Sequence, residues 1–420
     1  MTKNLTEWLD WQTTLHPQTI DLGLERCREV AKRLQLLSPP FPVITVAGTN
    51  GKGSSVAMLE TILSTAGYRV GCYTSPHLLR YNERIRIFGH CVTDEALCQA
   101  FEQVETARQS ITLTYFEFGT LAALCLFCQH PLDIVILEVG LGGRLDAVNV
   151  FDSIVALVTP IGIDHVDWLG TDRESIGFEK AGIFRAQCPA ICNDLDPPQR
   201  LLEQAQRLSA PLYCLGRDFT YSQTSAVSWQ WQSHQQDYVD LPFPSLAGDF
   251  QIANAAGVIM VLNLLQKTFP IALTALRQGL VNTTLLGRFQ ILTGRVTCIV
   301  DVAHNVLGVQ TLKNALKQFP CNGETHALVG ILQDKESASM FNTMRDTVHH
   351  WHLAPLATPR SATVEQLVRQ LKILGVTSIH TYPTIATAYH FLSETVSTQD
   401  RIVVFGSFFT VAEVLKLHRY

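Results

Sequence analysis

The chain has 420 residues, of which 47% are hydrophobic and 16% are charged, and its formal net charge at pH 7 is −5. This composition excludes an intrinsically disordered chain, and the acidic balance argues against a protein that holds nucleic acid through phosphate contacts. A chain of this length exceeds one ordinary hydrophobic core, so we expect two domains.

The sequence also carries signals about the cellular compartment. No run is long and apolar enough to span a bilayer, and the N-terminus lacks the apolar stretch of a secretory signal. The 11 cysteines are odd in number and scattered through apolar segments, which indicates reduced thiols in a cytoplasmic protein. Cys125 and Cys128 form a C-x-x-C pair, and a zinc site would require Cys188 and Cys192 to converge on it. We expect instead two core residues of an apolar helix.

The first predicted strand runs into a glycine-rich turn and a helix, in the segment Val43-Ile-Thr-Val-Ala-Gly-Thr-Asn-Gly-Lys-Gly-Ser-Ser55. Glycines allow backbone N–H groups to wrap an anion, and a helix N-terminus adds partial positive charge. Lys52 contributes a full charge, and Ser54 opens an amphipathic helix. The spacing is shorter than the general G-x-x-x-x-G-K-[ST] pattern, and a simple connecting turn is the alternative. Three glycines, a lysine and a hydroxyl together favour a phosphate-binding loop.

Strands and helices alternate from about residue 41 to residue 195, which predicts a doubly wound α/β sheet. The candidate strands are short, apolar and β-branched, as expected for parallel strands that are covered on both faces. They are Val43–Ala47, Arg69–Tyr73, Ile134–Val139, Ile154–Thr159 and Ala190–Asn193. The candidate helices are Ser54–Ala66, Asp94–Ala107, Phe118–Cys128 and Arg173–Phe184.

Two features follow the predicted strand that ends near residue 139. Glu138 lies at its carboxyl end, where an acid beside a phosphate loop meets the Mg²⁺ held by a nucleotide; a surface carboxylate is the alternative. The segment Gly140-Leu-Gly-Gly-Arg-Leu-Asp146 comes next. Its glycines permit close approach of the backbone to a ligand, although they also suit a tight connection.

The remainder of the chain divides into three predicted parts. Residues 219–241 are polar and aromatic with partial alternation, which indicates a small antiparallel excursion, and a long helix begins in the segment from Leu246. A second α/β rhythm starts at Ile291. Its strands are Cys298–Val302, His326–Ile331, His352–Pro355 and Ile402–Phe405, and its helices include Val309–Phe319 and Thr363–Leu374. We expect the hinge near Leu285–Arg288, and hence domains at residues 1–287 and 288–420.

Ten segments in a fixed order carry a family resemblance that runs nearly end to end. They are Ala47–Ser54, Ile20–Arg26, Ser75–Leu78, Leu113–Glu117, Glu138–Asp146, Asp164-His165, Glu179–Phe184, Gly287-Arg288, Asp301–Asn305 and Phe405–Ser407. The chain thereby resembles the Mur-ligase superfamily and, within it, the bacterial bifunctional dihydrofolate synthase/folylpolyglutamate synthases. This resemblance implies an N-terminal P-loop Mur-ligase-like ATPase domain with a doubly wound, mostly parallel sheet, and a smaller C-terminal Rossmann-like α/β domain.

The resemblance implies that the phosphate loop and three later residues bind ATP. These residues are Thr49, Asn50, Gly51, Lys52, Gly53, Ser54, Asn254, Arg288 and Asp301. Arg288 beside Gly287 suits a hinge arginine whose planar guanidinium stabilises the transferring phosphoryl group. Asp301 can accept hydrogen bonds from ribose hydroxyls. The three later residues could instead have ordinary structural roles, with Asn254 as an amide on a helix, Arg288 as a guanidinium in a linker and Asp301 as an acid at the end of a strand.

Two Mg²⁺ ions are implied at Ser75, Glu138 and His165, with Ser54 as a further contact, and a requirement for a monovalent cation is left open. Imidazole is softer than a carboxylate oxygen, so a hydrogen-bonded structural histidine is the alternative for His165. Lys180 on its own reads as a solvated lysine at a helix end, whereas the family carries a carbamylated lysine at this position. That modification requires a neutral amine, so the site must depress the lysine pKa.

The resemblance also implies a pocket for dihydropteroate or a reduced folate. Its residues are Asp21, Leu22, Gly23, Leu24, Thr114, Tyr115, Phe116, Glu117, Leu145, Asp146 and Ala147. Tyr115, Phe116 and Phe118 could stack on a flat heterocycle or belong to the core. Asp146 could bind the pterin or assist proton transfer, with a helix cap as the alternative. The implied catalytic set is Lys52, Asp146, His165 and Lys180.

His304 and Ser407 match positions that contact the incoming L-glutamate in the family. The chain departs from the family pattern nearby, where Val306 replaces a frequent proline and Phe409 replaces a frequent histidine. Both departures bear on the selectivity for glutamate.

The activity implied is that of an ATP-dependent amide ligase, which adds glutamate to dihydropteroate and to reduced folates through an acyl phosphate. One alternative is a peptidoglycan ligase of the Mur type. The chain offers no separate UDP-binding domain before its phosphate loop, which argues against this alternative. Another is a P-loop switch or binding module, which would hydrolyse ATP without a pteroate-type acid and glutamate. We expect a monomer that acts on small molecules and binds neither nucleic acid nor membrane.

Overall fold

A computed structural model describes residues 3–418 of the chain. The chain forms two compact units. Among the described residues, the first combines residues 3–245 with Ile252–Thr283, and the second combines Leu246–Gln251 with residues 284–418. None of the described helices is both long and apolar enough to cross a membrane.

An eight-stranded sheet forms the centre of the first unit, in the order β4-β3-β2-β5-β1-β6-β7-β8. The strands are β1 (Val43–Ala47), β2 (Val70–Tyr73), β3 (Ile85–Ile87), β4 (His90–Cys91), β5 (Ile134–Glu138), β6 (Val155–Val158), β7 (Ala190–Cys192) and β8 (Leu212–Cys214). All neighbours pair in parallel except β2 with β3 and β3 with β4. Every residue of β1 and β5 is buried, as expected of central parallel strands. The predicted mostly parallel sheet is confirmed.

Ten helices accompany this sheet in the part of the chain described. They are α1 (Leu5–Leu15), α2 (Glu25–Arg33), α3 (Lys52–Thr65), α4 (Asp94–Arg108), α5 (Tyr115–Cys128), α6 (Val166–Leu169), α7 (Arg173–Ala181), α8 (Gln199–Arg207), α9 (Phe250–Leu265) and α10 (Leu273–Asn282). Helix α3 packs against α10, whereas α4 and α5 pack together beside α1 and α2. The parallel strands β5, β1 and β6 end at one edge of the sheet, and the loops that follow them meet there.

Several helices begin elsewhere than the periodicity predicts. Helix α3 begins at Lys52 rather than at Ser54, and α11 begins at Val306 rather than at Val309. Helix α5 begins at Tyr115 rather than at Phe118, because Thr114 caps it and Glu117 completes a capping box. The long helix predicted from Leu246 begins at Phe250.

The predicted antiparallel excursion is confirmed as a three-stranded sheet in the order β11-β10-β9. The strands are β9 (Phe219–Gln223), β10 (Ser228–Ser233) and β11 (Asp237–Pro242). Trp229 and Trp231 alternate with polar residues along β10 and are fully buried. The indole N–H of Trp231 donates to the carbonyl of Ala256 at 3.1 Å, which anchors the sheet to α9.

The second unit is built around a six-stranded sheet in the order β12-β13-β17-β14-β15-β16, in which only β12 is antiparallel to its neighbour. The strands are β12 (Gln290–Leu292), β13 (Thr297–Val300), β14 (Thr325–Val329), β15 (His350–Leu353), β16 (Ile379–Thr381) and β17 (Arg401–Phe405). The helices are α11 (Val306–Gln318), α12 (Ser337–Met344), α13 (Val364–Ile373), α14 (Ile385–Thr395) and α15 (Phe408–Leu417). The second α/β rhythm predicted from the sequence is confirmed.

Candidate active site

The phosphate loop lies at the carboxyl edge of the first unit's sheet, between β1 and α3. Gly48 and Gly51 have φ angles of 145° and 90°, which favour glycine, and α3 begins at Lys52 directly after them. A Cβ atom at Gly48 would overlap the side chain of Thr159. The Thr159 hydroxyl donates to the carbonyl of Asn50 at 2.7 Å. Thr159, for which the sequence analysis assigned no role, therefore braces the loop from the end of β6.

Helix α9 brings a predicted residue to the same loop. Asn254 is buried, and a Cβ atom at Gly51 would lie 2.5 Å from its Oδ1 atom. Ser54 is also buried, in the first turn of α3. Backbone N–H groups of the loop and of the first turn of α3 are the kind of donors that bind a phosphate group.

Two lysines converge on the loop. The Nζ atom of Lys52 donates to the carbonyl oxygens of Gly48 and Thr49 at 3.1 and 3.2 Å, and the Nζ atom of Lys180 donates to that of Gly48 at 3.0 Å. Lys180 is 3% exposed. The pKa of Lys180 is lowered to about 7, mainly by burial and to a smaller extent by the positive charge of Lys52. The negative charge of Asp164 acts in the opposite direction.

The sequence-based interpretation of Lys180 as a solvated residue was therefore wrong. It failed because α7 packs against the loop that follows β5. A Cβ atom at Gly143 would lie 2.7 Å from the carbonyl oxygen of Glu179, so glycine is needed for this approach. The backbone N–H of Arg144 donates to the same carbonyl at 2.7 Å and fixes the contact.

Glu138 is a buried carboxylate at the carboxyl end of β5. Its Oε2 atom accepts a hydrogen bond from the backbone N–H of Ser75 at 3.2 Å, so two of the three residues predicted to hold metal lie together. His165 is exposed and has a φ angle of 53°, and its N–H donates to Asp164 at 2.8 Å. The carboxylate of Glu138 and the hydroxyl of Ser75 are the oxygen ligands that Mg²⁺ prefers.

Asp146 is buried after the glycine segment. Its two carboxylate oxygens accept hydrogen bonds from the backbone N–H groups of Leu141 at 2.8 Å and Val148 at 3.1 Å. It caps a short 3₁₀ turn, so the structural alternative considered for this residue is present. Burial nevertheless raises its pKa to about 7, against the opposing effects of those hydrogen bonds and of the Lys52 charge. The carboxyl group can therefore gain and lose a proton near neutral pH.

The three segments predicted to bind a pteroate come together. Arg26 connects two of them, because its guanidinium lies 2.6 Å from the carboxylate of Asp21 and 3.2 Å from that of buried Glu117. The thiol of Cys27 lies 4.0 Å from the carbonyl of Ala147, which belongs to the third segment. Sequence analysis assigned no role to Arg26, although its segment was part of the family resemblance.

Of the three predicted aromatic residues, Phe118 is fully buried in the core, so the core alternative holds for it. The other two lie at the start of α5. A Cβ atom at Gly140 would lie 2.7 Å from the ring of Phe116, and this ring is 5.7 Å from that of Tyr73. The ring of Tyr115 is 5.7 Å from that of Tyr81. Aromatic residues therefore border the glycine segment, and both rings are partly exposed.

The second unit contains the other predicted residues. The guanidinium of Arg288 lies over the ring of Phe408 at 5.2 Å, and the His304 ring is 5.7 Å from it. The buried carboxylate of Asp301 accepts hydrogen bonds from two backbone N–H groups at 2.8 Å, and burial raises its pKa. Ser407 is buried and caps α15, where its Oγ atom accepts from the N–H of Thr410 at 3.0 Å. Phe408, for which the sequence analysis predicted no role, thus contacts both Arg288 and His304.

Comparisons with known proteins bear on both units. The Mur ligase middle domain family matches residues 46–262, and the Mur ligase, glutamate ligase domain family matches residues 287–408. The dihydrofolate synthase/folylpolyglutamate synthase of Escherichia coli strain K12 is 43% identical over 413 residues, which cover 98% of this chain and 95% of the relative.

Two solved structures are similar over nearly the whole chain. Escherichia coli FolC in complex with DHPP and ADP has a TM-score of 0.93 and 43% identity, and the match covers 99% of this chain and 97% of that one. A bifunctional folylpolyglutamate synthase/dihydrofolate synthase with Mn, AMPPNP and L-glutamate bound has a TM-score of 0.92 and 44% identity. That match covers 100% of this chain and 99% of the other.

Proposed function

The chain belongs to the dihydrofolate synthase/folylpolyglutamate synthase family of Mur ligases, and from that premise we propose that it is an ATP-dependent amide ligase with both activities. It joins L-glutamate to dihydropteroate, which forms dihydrofolate, and to reduced folates, which forms folylpolyglutamates. The observations that carry this proposal are the arrangement around Gly48, where a phosphate loop and two lysines meet, and the contacts that join the three segments predicted to bind a pteroate, one of which contains Asp146.

The reaction has two steps. An oxygen of the acceptor carboxylate attacks the γ-phosphorus of ATP, so an O–P bond forms and the bond to the ADP oxygen breaks. The glutamate amine then attacks the acyl carbon, which forms a C–N bond, releases phosphate and leaves a proton to be removed. Lys52 and Arg288 stabilise the spreading phosphoryl charge. Mg²⁺ bound at Glu138 and Ser75, with His165 as the remaining predicted ligand, would supply further neutralisation of phosphate charge.

Lys180 supplies a carboxylate in this proposal. Its neutral nitrogen attacks the carbon of CO₂, one N–H proton is lost, and an N-carboxylate results. A pKa of about 7 leaves about half of the amine neutral at pH 7 and thus supports this reaction. The product is an anion beside Lys52, and it adds an oxygen ligand close to the phosphate loop.

The remaining predictions about site and organisation extend the proposal. Thr49, Asn50, Gly51, Gly53, Ser54 and Asn254 bind the phosphates of ATP, Asp301 binds its ribose, and His304 and Ser407 bind L-glutamate. We assign ATP and acceptor recognition to residues 1–287 and glutamate ligation to residues 288–420. We also propose a cytoplasmic monomer, and the odd number of cysteines, scattered through apolar segments, supports a reducing compartment.

The experiment is a product assay with ATP, Mg²⁺ and L-glutamate in the presence of dihydropteroate or a reduced folate. We expect ADP release to require both glutamate and one acceptor, and the two acceptors to inhibit each other's reaction because one site serves both. Lys52→Ala is the matched control, since it should fold normally and lose turnover by orders of magnitude.

Each alternative has its own outcome in this assay. ATP turnover without acceptor or glutamate would favour a P-loop switch. Extension of folates without any use of dihydropteroate would contradict the double activity and leave the ligase chemistry intact.

A further inference from the structure

Four histidines cluster in the second unit's sheet, on strands β14, β15 and β16. The strand register pairs His326 with His350, and His352 with His380. The rings of the first pair stack at 4.5 Å and those of the second pair at 4.9 Å. His350 is the first residue of β15, so the cluster begins at the amino ends of the strands. The residues proposed to bind substrates follow the carboxyl ends of β13 and β17, so the cluster lies outside that site.

Two carboxylates face the first pair of histidines, His326 and His350. The Nε2 atom of His350 is 2.6 Å from Oε2 of Glu324, and that of His326 is 3.4 Å from Oδ2 of Asp400. One ligand atom each from Glu324, His326 and His350 lie within 4.8 Å of one another. A tetrahedral Zn²⁺ with bonds of about 2.1 Å spaces its ligands roughly 3.4 Å apart, so small side-chain rotations suffice. No other group of three such ligands occurs among residues 3–418.

The opposite nitrogen of each ring already has a partner. Nδ1 of His326 lies 3.1 Å from Nε2 of His352, whose own Nδ1 lies 3.1 Å from the hydroxyl of Tyr382. Nδ1 of His350 lies 2.7 Å from Oγ of Ser378. Protein ligands of this kind hold one ring nitrogen in a hydrogen bond and thereby direct the other at the metal. The same geometry here directs both Nε2 atoms toward Glu324 and Asp400.

We propose that Glu324, His326 and His350 bind a transition-metal ion of the Zn²⁺ class, with water completing the coordination. Two imidazoles and a carboxylate select Zn²⁺ over Mg²⁺, because Mg²⁺ prefers oxygen ligands. The ion joins the amino ends of β14 and β15 to the segment before β14. It therefore stabilises the second unit and takes no part in phosphoryl transfer.

The test measures Zn²⁺ bound to the full chain by equilibrium dialysis and elemental analysis. Excess Mg²⁺ and a non-hydrolysable ATP analogue are present so that the phosphate-loop site is occupied. Wild-type protein should bind one Zn²⁺ that the double variant His326→Gln/His350→Gln does not bind. His234→Gln alters an exposed histidine on the hairpin between β10 and β11 and should bind Zn²⁺ as the wild type does.

Two further measurements separate ligation from folding. Zn²⁺ should raise the thermal midpoint of the wild type and not that of the double variant. Ser378→Ala removes only the hydrogen-bond partner of His350, and it should weaken Zn²⁺ binding about tenfold while the chain remains folded. Equal Zn²⁺ binding by wild type, the double variant and Ser378→Ala, or none by the wild type, would overturn the proposal.

Discussion

Lys52 and Lys180 donate hydrogen bonds to one acceptor, the carbonyl oxygen of Gly48, at 3.1 and 3.0 Å. Two cations around one oxygen repel each other, and Lys180 is the more deeply buried of the two. Loss of its proton relieves both the repulsion and the cost of burial, which is why its pKa falls to about 7. The carbamylation that we propose would replace this repelled cation with an anion that Lys52 attracts.

The first prediction concerns stability and pH. The pKa of Lys180 is lower in the folded state than in the unfolded chain, so between about pH 7 and pH 10 the unfolded state binds more protons. Lys180 should therefore contribute a rise in the free energy of unfolding with pH across this window, by on the order of a few kcal/mol for complete titration, whereas buried thiols with raised pKa values, such as those of Cys27 and Cys72, contribute an opposing fall. Lys180→Met should remove that rise, whereas the exposed-site control Lys267→Met should keep it. Denaturant titrations without bicarbonate measure both slopes, and equal slopes in all three proteins would refute the assignment.

The second prediction concerns the carbamate itself. With ¹³C-labelled bicarbonate, wild-type protein should show a carbamate resonance that Lys180→Ala lacks. Lys180→Ala should be inactive as a ligase, and a small carboxylic acid such as acetate should restore part of the turnover by supplying the missing carboxylate. An active Lys180→Ala protein, or a resonance that survives the substitution, would contradict the modification.

The third prediction compares two glycines with similar backbones. Gly51 and Gly67 have φ angles of 90° and 95°, so alanine costs each position roughly 1–2 kcal/mol of conformational strain. A Cβ atom at Gly51 would also lie 2.5 Å from Oδ1 of Asn254, whereas one at Gly67 meets nothing within 4 Å. The KM for ATP should therefore be at least about tenfold higher in Gly51→Ala than in Gly67→Ala. A tenfold difference corresponds to about 1.4 kcal/mol of lost binding free energy. Equal ATP kinetics in the two variants would separate Gly51 from nucleotide binding.

The fourth prediction concerns the choice of acceptor. Dihydropteroate has no glutamate tail, so its pterin must be gripped to position the reacting carboxylate. Asp146→Ala should therefore lose glutamate addition to dihydropteroate more severely than addition to a reduced folate. Asp146→Asn keeps a cap for the 3₁₀ turn but cannot exchange a proton. If Asn restores both activities, Asp146 acts only as the cap.

The fifth prediction concerns Arg288. We propose that its planar guanidinium stabilises the charge that develops on the transferring phosphoryl group, and Arg288→Ala should then lower kcat more than it weakens ATP binding. Isothermal titration with a non-hydrolysable ATP analogue gives the affinity, and single-turnover kinetics give the chemical step. A loss confined to affinity would assign Arg288 to ground-state binding.

Sequence by itself determined the main architecture and the phosphate loop. The strand β1 and the turn after it were predicted correctly because hydrophobic runs, glycines and the following helix are local signals. The antiparallel hairpins were also predicted, because alternation along Ser228–Ser233 is visible without a partner strand. Helix α5 was placed three residues late, since its start depends on a capping box rather than on periodicity.

Only the tertiary structure decided how the chemical groups meet. The local sequence predicts a solvated Lys180, but the packing of α7 on the loop after β5 buries it. Burial depends on neighbouring segments and not on the local sequence. Thr159 and Arg26 act on partners 109 and 91 residues away in the chain. The pairing of His326 with His350 likewise requires the register of two parallel strands. Periodicity identifies which residues form a strand, but the packing of distant segments determines which side chains share a site and how far their pKa values shift.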